Sequence, residues 1–439
     1  MIHAFNFKDN YFVYDVESGS LHETDKMIFD ILKNNDLSCY DVDAVAEAKA
    51  EIASLKKQGL FDAEAPEYTM EEKRLDVKAM CLHVCHDCNL RCGYCFAKEG
   101  TYSGPKEMLS LETAKKAMDF LIDNSADRKI LEVDFFGGEP LMNLDVLKQT
   151  VEHAKEQAAK KGKVFKFTTT TNGVLLNKET SDYLNEEMDN VVLSIDGRKE
   201  INDAVRKTAN GKGSFDYFID NFKYFRSVRG DKSYFVRGTF TNKNLDFAND
   251  VLFMNDQGFD QISIEPVVLP DEHPLAIKES DLPVVFEEYE RLAEAYLERR
   301  QDDEKWFSFF HFVLHLDDGP CYKKRLVGCG AGSEYLAVAP NGDIYPCHQF
   351  VGEKQFLLGN VHTVEKDGLN DEIRHKFAKS SIFTKPDCQN CWAKYHCSGG
   401  CNANAIHFNG DMDKPYKIAC EMMRKRLECS MYIFAKENF

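Results

Sequence analysis

Between residues 80 and 270 the sequence alternates short apolar runs with longer stretches of helical periodicity. The short runs are rich in β-branched and aromatic residues, which favour β-strands. Strands that alternate with helices in this way predict a parallel sheet, and six such units predict one that closes toward a barrel. The six strand candidates are Ala79–Cys85, Ile130–Phe136, Val164–Thr171, Asn190–Ile195, Tyr234–Thr241 and Gln261–Glu265.

The pattern predicts five consecutive segments. They are 1–62, a small α+β unit; 63–79, a linker; 80–282, the barrel; 283–319, a helical bridge; and 320–439, a cysteine-rich domain. The first segment is expected to hold a hairpin that turns at Asp9–Asn10, followed by helices near 23–34 and 41–58. In the barrel, helices are expected at Leu111–Asn124 and at Leu144–Lys161, the second with Asn143 as its N-cap.

Short motifs follow the strand candidates at their carboxyl ends, where parallel β/α folds gather reactive groups. A cysteine loop follows the first strand, and a Gly-Gly-Glu-Pro motif follows the second. Polar groups follow or end the third, fourth and sixth strands, and Arg237 lies within the fifth. These motifs are Cys88/Cys92/Cys95, Gly137–Pro140, Thr171–Gly173, Ser194–Gly197, Arg237 and Glu265–Pro266. Their common placement makes the cysteine loop a candidate active site.

The loop Cys88-Asn-Leu-Arg-Cys92-Gly-Tyr-Cys95 has C-x3-C-x2-C spacing. A [4Fe–4S] cluster held by protein alone uses four cysteinate ligands, so three ligands would leave one iron open to a substrate or cofactor. A zinc knuckle is the alternative, because His83 or His86 could supply a fourth tetrahedral ligand.

Composition limits the compartment and the partners. The N-terminus, Met1–Phe7, lacks a basic flank and an apolar stretch of signal-peptide length, and no apolar run is long enough to cross a membrane. A cytoplasmic location without a membrane partner is therefore expected, and there the 15 cysteines favour metal binding over disulfides. The net charge of −18 argues against a nucleic-acid partner.

A second group of cysteines occupies the last predicted segment. Its members are Cys321, Cys329, Cys347, Cys388, Cys391, Cys397, Cys401 and Cys420. A zinc ribbon could use the four from Cys388 to Cys401, but it would leave the outlying cysteines unexplained. The cysteines outside both groups are expected to be structural; they are Cys39, Cys81, Cys85 and Cys429.

The first cysteine loop and the motif Gly137–Pro140 together resemble the signature of the radical S-adenosylmethionine (radical SAM) enzymes. In that family the open iron binds the amino nitrogen and carboxylate of SAM, so the resemblance makes Cys88, Cys92 and Cys95 catalytic ligands. It also implies SAM contacts, by amino group, adenine, ribose or carboxylate, for Gly138, Glu139, Tyr94, Ser194 and Arg206. On residue type alone, Arg206 could instead be an exposed helix charge, and Arg237 is a weaker candidate.

The second group resembles the SPASM extension of radical SAM enzymes, which implies two further [4Fe–4S] clusters and three in all. The resemblance assigns Cys321, Cys329, Cys347 and Cys401 to the first auxiliary cluster, and Cys388, Cys391, Cys397 and Cys420 to the second. Without Cys321 the first auxiliary cluster would have an open iron. The implied fold class is α/β, with a partial (β/α)6 radical SAM barrel, an N-terminal winged-helix-like peptide-recognition domain and a C-terminal SPASM domain.

Over most of its length the chain resembles the maturases of SCIFF precursor peptides (six cysteines in forty-five residues), most closely in Cys85–Phe96 and after Cys321. Those enzymes form Cys-to-Thr thioether bridges. The resemblance implies a Cys-rich precursor peptide, whose leader adds as a strand to residues 1–62, and an electron donor of the flavodoxin or ferredoxin type. A simple stabilising role is the alternative for residues 1–62.

One residue bears on the choice of reaction. Anaerobic sulfatase-maturating enzymes carry an aspartate directly after the cysteine that corresponds to Cys347, whereas this chain has His348. The proton acceptor expected for formylglycine formation is therefore missing, and His348 is only a candidate base. The alternatives are another SPASM modifier, formylglycine-generating or epimerising, or an iron–sulfur electron carrier with a peptide-binding domain. Release of 5′-deoxyadenosine from SAM would separate an enzyme from a carrier.

Overall fold

The computed structural model describes residues 1–65, 75–316 and 326–439. The chain divides into two compact units. The first unit comprises Met1–Glu72, Leu282–Gly328 and Ser381–Phe439, and the second comprises Lys73–Asp281 and Cys329–Ser380. Parts of the predicted linker and bridge, and Cys321 itself, lie outside the described residues.

The first unit begins with an antiparallel sheet of β1 (Ile2–Phe7), β2 (Asn10–Asp15) and β3 (Leu21–Thr24). Phe7 pairs with Asn10, so the hairpin turns at Lys8–Asp9, one residue earlier than predicted. Helices α1 (Lys26–Lys33) and α2 (Val42–Lys57) follow. The strand β3 replaces the start of the first predicted helix, because Asp25 caps α1 by accepting from the Ile28 N–H at 2.8 Å.

Further strands and helices alternate along the rest of the chain. The strands are β4 (Ala79–Cys85), β5 (Leu90–Cys92), β6 (Ile130–Gly137), β7 (Val164–Thr171), β8 (Asn190–Ser194), β9 (Arg206–Thr208), β10 (Ser233–Phe240), β11 (Gln261–Pro266), β12 (Ser308–Phe309), β13 (Tyr335–Val338), β14 (Asp343–Tyr345) and β15 (Gly359–Asn360). The helices are α3 (Leu111–Asp123), α4 (Leu144–Lys160), α5 (Lys178–Glu187), α6 (Lys199–Val205), α7 (Phe215–Arg229), α8 (Phe247–Asp256) and α9 (Leu282–Arg299), then Val364–Asp367, Asp371–Lys379, Pro386–Gln389, Lys394–Cys397, Asn402–Asn409 and Lys417–Asn438.

The second unit is organised around a largely parallel sheet. Its strand order is β11-β10-β8-β7-β6-β4-β13-β14-β15. The pairs from β11 to β13 are parallel, and β14 and β15 add antiparallel strands at the end. The six strands predicted for this region are confirmed, with ends that differ by at most one residue.

Alternation along the strands separates two faces of this sheet. In β6, Leu131, Val133 and Phe135 are buried, whereas Glu132 and Asp134 on the opposite face are partly exposed. The same alternation runs along β7 and β10. One face therefore belongs to the apolar core, and the other is available to a site.

The prediction that the Asn143 side chain caps α4 is wrong, although Asn143 directly precedes the helix. A 3₁₀ turn, Pro140–Asn143, precedes this helix, and the Asn143 side chain makes no capping bond. Instead, its amide donates to the carbonyl oxygens of Val84 at 2.8 Å and Leu109 at 3.0 Å. Asn143 thus secures the end of β4, directly before the cysteine loop.

Aromatic and charged contacts join the hairpin to the C-terminal residues of the same unit. His3 stacks on Trp392 with ring centroids 3.8 Å apart. Glu17 is buried and accepts from the Lys394 ammonium and from the Tyr395 hydroxyl, each at 2.8 Å. The N-terminal residues therefore pack on the segment between Cys391 and Cys397. Among the described residues, no helix is long and apolar enough to span a bilayer.

Candidate functional site

The three cysteines of the first motif lie in one loop after β4. The loop contains β5, which pairs antiparallel with β9, so that Cys92 lies opposite Arg206. Cys88, Cys92 and Cys95 are each partly exposed. Burial raises the pKa of the Cys88 thiol to about 12, and the charges of Glu139, Cys92 and Cys95 add to the increase. A bound iron would hold these groups as thiolates, since a metal deprotonates a coordinating thiol.

The two glycines after β6 allow the cysteine loop to approach closely. A β-carbon on Gly137 would stand 2.2 Å from the Cys85 carbonyl oxygen, and one on Gly138 would stand 1.9 Å from the Asp87 carbonyl oxygen. The Gly138 N–H also donates to the Cys85 carbonyl at 2.9 Å. The sequence predicts that these glycines admit a ligand; in the structure they admit the backbone that carries Cys88.

The Glu139 carboxylate is only 1% exposed and is held by three donors. One oxygen accepts from the Thr171 hydroxyl at 2.7 Å and from the Leu141 N–H at 3.1 Å; the other accepts from the Asn172 N–H at 2.8 Å. Burial raises the pKa of Glu139, and these hydrogen bonds oppose that shift. Because a carboxylate can accept about four hydrogen bonds, one position remains for a donor on a ligand.

The Thr-Asn-Gly motif at the end of β7 supports the cysteine loop. The Asn172 side-chain amide donates to the Asn89 side-chain oxygen at 2.7 Å and lies 3.7 Å from the Cys88 sulfur. Gly173 has a φ of 75°, and a β-carbon there would stand 2.0 Å from the Phe222 ring. Glycine is required at this turn, and the turn places Asn172 against the loop.

Tyr94, Asp196 and Arg206 form a buried charge network. The Tyr94 hydroxyl donates to the Asp196 carboxylate at 2.7 Å, and Arg206 donates to the Tyr94 oxygen at 2.9 Å. Asp196 and Arg206 are buried, with charged atoms 4.0 Å apart. Burial raises the pKa of Asp196, and the guanidinium opposes the shift. Arg206 is thus the first residue of β9 and a member of this network rather than an exposed helix charge.

Removing the cation of this network should destabilise the fold. We expect Arg206→Ala to lower the free energy of unfolding by about 3 kcal/mol, the usual cost of leaving a buried charge without its partner. Urea denaturation followed by circular dichroism measures the loss. Lys207→Ala removes the adjacent exposed cation of the same strand and should cost less than about 0.5 kcal/mol. Equal losses in the two variants would contradict the assigned role.

Ser194 and Arg237 lie opposite each other in the pairing of β8 with β10. Ser194 is partly exposed and Arg237 is exposed. Within the described part of the chain, the Arg237 guanidinium makes no hydrogen bond or ion pair. Its charge nevertheless acts on Asp134 of β6 and on His348. Ser194, Arg237 and Asp134 therefore lie on the face of the sheet that is away from the apolar core.

His348 directly follows Cys347 and is surrounded by aromatic rings. Its ring centroid lies 5.6 Å from that of Phe96 and 5.3 Å from that of Phe136. Its Nδ1 lies 3.3 Å from the Tyr335 hydroxyl. Burial lowers the pKa of His348 to about 4. The two histidines of the zinc alternative, His83 and His86, are buried and hydrogen-bonded to each other at 3.0 Å.

Four of the predicted auxiliary ligands come together in the first unit; they are Cys388, Cys391, Cys397 and Cys420. Burial raises the pKa of Cys420 to about 12, and the charges of the other three add to the increase. Cations accompany them: Lys385 is buried beside the group, and an Arg424 nitrogen lies 4.0 Å from the Cys391 sulfur. Four thiols with balancing cations are a donor set that suits a [4Fe–4S] cluster.

The other predicted auxiliary ligands are distributed over both units. Cys401 belongs to the first unit, and Cys329 and Cys347 belong to the second. The cysteines expected to be structural are buried at Cys81, Cys85 and Cys429 and exposed at Cys39. In the described ranges, no three His, Cys, Asp or Glu side chains converge on the position of a single metal ion.

Sequence reasoning missed two acidic residues of the site. Asp196 stands in the motif Ser194–Gly197, in which only the serine received a role. Asp134 stands in the middle of β6, at a position that alternates with apolar core residues. An acidic residue at such a position was the available signal in the sequence, because strand alternation places it on the face away from the apolar core.

Comparison with known proteins agrees with this arrangement. The radical SAM superfamily matches residues 82–246, and the iron–sulfur cluster-binding SPASM domain matches residues 329–392. A cysteine-type anaerobic sulfatase-maturating enzyme of Clostridium novyi is 27% identical over 363 residues, which cover 78% of this chain and 92% of that enzyme. The radical SAM cyclopropyl synthase TigE of Paramaledivibacter caminithermalis is 26% identical over 82% of this chain and 75% of its own.

Solved structures share the fold. The sulfatase-maturating enzyme anSMEcpe with bound AdoMet superposes with a TM-score of 0.68 at 20% identity, over 82% of this chain and 95% of that one. SuiB of Streptococcus suis, bound to its precursor peptide SuiA, gives a TM-score of 0.53 at 18% identity, over 94% of this chain and 97% of that one. The two matched domains imply SAM and more than one [4Fe–4S] cluster as cofactors. The chain thus contains a radical SAM domain and a SPASM domain, and it is a radical SAM enzyme.

Proposed function

We propose that the protein forms intramolecular thioether crosslinks, from a cysteine sulfur to a threonine carbon, in a ribosomally made Cys-rich precursor peptide. The observation that carries this proposal is His348. It stands where sulfatase-maturating enzymes have an aspartate, and aromatic rings and the Tyr335 hydroxyl surround its imidazole. The carboxylate that formylglycine formation would use is therefore replaced by an imidazole.

Relatives support a peptide as the substrate. SuiB is solved with the precursor peptide SuiA, and anSMEcpe is solved with the peptides Cp18Cys and Kp18Cys. AlbA of Bacillus subtilis, a subtilosin biosynthesis protein, is 25% identical over 73% of this chain. Similarity at this level favours a modifier of peptides or proteins and leaves the bond that is formed to be tested.

The residues around the cysteine loop provide groups that suit SAM. We assign the loop cysteines to the SAM-binding cluster, and Gly138, Glu139, Tyr94, Ser194 and Arg206 to SAM contacts. Glu139 has an acceptor position left for an ammonium. The Nε of Arg206 is buried without a partner among the described residues and could donate to a carboxylate. When bound, SAM and its cluster supply the 5′-deoxyadenosyl radical that removes hydrogen from carbon.

The proposal also covers the parts that lie beyond this site. We assign the parallel strands to a partial (β/α)6 barrel over residues 80–282, and the eight tail cysteines to two auxiliary clusters in a domain over 320–439. Residues 1–62 are assigned to winged-helix-like leader recognition, because both β1 and β3 are edge strands that a peptide could extend. A cytoplasmic flavodoxin or ferredoxin would supply electrons.

Co-expression with a small Cys-rich peptide encoded beside the gene tests the function. We expect the modified peptide to be lighter by two hydrogen atoms for each crosslink, and one cysteine per crosslink to resist alkylation. Tandem mass spectrometry then locates the bridge. An unmodified peptide, together with continued SAM cleavage by the reconstituted enzyme, would contradict thioether formation.

Formylglycine formation is the second candidate, because two types of sulfatase-maturating enzyme are among the relatives at 27% and 26% identity. It is tested with a sulfatase-derived peptide that contains cysteine or serine. Conversion of that residue to an aldehyde, detected by hydrazide labelling, would favour this candidate. A peptide left unlabelled alongside a crosslinked precursor would exclude it.

Leader binding can be tested without altering the enzyme. If the leader adds as a strand to β1 or β3, a proline within its binding segment should remove a ladder hydrogen bond and lower affinity about tenfold. Fluorescence polarisation of labelled leader peptides measures the change, and alanine at the same position is the matched control. Deletion of residues 1–62 is a poorer test, because it would strip Glu17 from buried Lys394. Equal affinities of the proline and alanine leaders would overturn strand addition.

A further inference from the structure

Asp134 is placed at the centre of the polar face of the parallel sheet. It lies beside Cys81 of β4 on one side and beside Thr168 of β7 on the other. Because side chains alternate along β6, its carboxylate is on the face away from Leu131, Val133 and the apolar core. This face also carries Arg237, and it leads to the strand ends at which the cysteine loop lies.

Among the described residues, the Asp134 carboxylate makes no hydrogen bond, unlike Glu139 and Asp196, the buried acids of the site. Its Oδ1 is buried and has no partner among the described residues. Glu139 accepts three hydrogen bonds and Asp196 accepts from Tyr94 and from the Thr239 N–H. Buried polar groups in proteins are nearly always paired, so an unpaired carboxylate requires an explanation. A substrate group that donates a proton to it provides one.

The groups around Asp134 come from every neighbouring element. The charge of Asp134 acts on Cys81 of β4, Tyr335 of β13 and Tyr102 of the loop before α3. Arg237 of β10 acts on Asp134 in turn, and the neighbour of Asp134 on β7, Thr168, is uncharged. Cys81 and Tyr335 hydrogen-bond each other. Burial raises the pKa of Asp134 to about 7, and Arg237 opposes the shift. A carboxylate in this range is a better proton acceptor near neutral pH than an ordinary aspartate.

We propose that Asp134 is the catalytic base of the reaction and takes the proton of the substrate thiol as the carbon–sulfur bond forms; this inference rests on the proposed thioether function. Joining a thiol to a C–H carbon releases two hydrogens in all. Bound SAM would supply the radical that takes one as a hydrogen atom, and the S–H proton moves to an Asp134 oxygen. An auxiliary iron–sulfur cluster would be the oxidant that accepts the remaining electron. Arg237 on the same face favours the ionised carboxylate that must receive the proton.

Asp134→Asn tests the proposal, because it keeps the shape of the side chain and removes the acceptor. Release of 5′-deoxyadenosine should continue, while crosslinked peptide should form about 100-fold more slowly or less. In the wild type, the crosslinking rate should rise with pH through about 7 as Asp134 ionises, and this limb should vanish in the variant. The matched control is Glu132→Gln, two residues earlier on the same face, where Glu132 pairs with Lys78. The control should retain the wild-type rate and pH profile.

A second readout does not depend on turnover. Infrared difference spectra of the wild type against Asp134→Asn should contain the carbonyl stretch of one protonated carboxyl, which disappears as the pH rises through about 7. A band that titrates in the ordinary range of aspartate, or crosslinking by Asp134→Asn at the wild-type rate, would overturn the role of Asp134. If the wild type itself forms no thioether, the proposed function fails instead. Matching iron content and SAM binding in the variant would exclude misfolding as the cause.

Discussion

Replacement of Cys92 by alanine should abolish release of 5′-deoxyadenosine from SAM. In the wild type, three thiolates would each bind one iron of the cluster and leave the fourth iron open. Two thiolates are too few to hold the cluster, so about four irons per chain should be lost relative to the wild type. The fold should survive, because Cys92 takes part in the β5–β9 ribbon through its backbone and its side chain is partly exposed. Anaerobic reconstitution, iron analysis and chromatography of the products after reduction measure both effects.

The control for this variant is Cys39→Ala. Cys39 is an exposed thiol in the first unit and belongs to neither cysteine group. Its replacement should change neither iron content nor SAM cleavage. Cleavage by Cys92→Ala at the rate of Cys39→Ala would show that the loop does not bind the reactive cluster. Zinc in place of iron in the wild-type loop would revive the zinc-knuckle alternative.

The strands of the second unit could be predicted because each one carries its own signal. Apolar and β-branched residues recur at the strand period in β6 and β7, and short motifs mark the strand ends. Local pattern also predicted the extents of α3 and α4 to within one residue. The extents of these strands and helices depend on residues that are close in sequence, so the sequence of one chain is enough to predict them.

The features that could not be predicted depend on pairing between distant segments. The ribbon of β5 with β9 joins residues more than a hundred positions apart, and each strand has only three residues. Without that pairing, Arg206 could equally be an exposed helix charge, and its contact with Tyr94 has no local signature. The same holds for Glu17, whose buried partners Lys394 and Tyr395 lie at the other end of the chain.

Gly138 belongs to a motif that was identified correctly, but the physical reason for a glycine at this position differs from the expected one. Gly138 was expected to make room for a ligand, and the structure shows that it makes room for the Asp87 carbonyl. Both explanations predict that a larger residue is excluded there. Only the fold reveals that replacing Gly138 would first displace the loop that carries Cys88.

Replacement of Cys420 by alanine should separate SAM cleavage from formation of the peptide product. Cys420 lies with Cys388, Cys391 and Cys397 in the first unit, whereas the loop that carries Cys92 belongs to the second. The variant should therefore lose about four irons per chain and retain the remaining clusters. Release of 5′-deoxyadenosine should continue without crosslinked peptide, since the electron left after carbon–sulfur bond formation would lack an acceptor.

Cys429→Ala is the matched control, because Cys429 lies on the same helix, Lys417–Asn438, but outside the cysteine group. Its thiol is fully buried, so the substitution should cost about 1 kcal/mol in stability while iron content and product formation are kept. Iron analysis, chromatography of 5′-deoxyadenosine and mass spectrometry of the peptide are applied to both variants and the wild type. If Cys420→Ala binds as much iron as Cys429→Ala and crosslinks the peptide as fast, the four cysteines do not bind a catalytic cluster. If it loses iron and SAM cleavage together, the tail cysteines support the whole fold rather than the second half of the reaction.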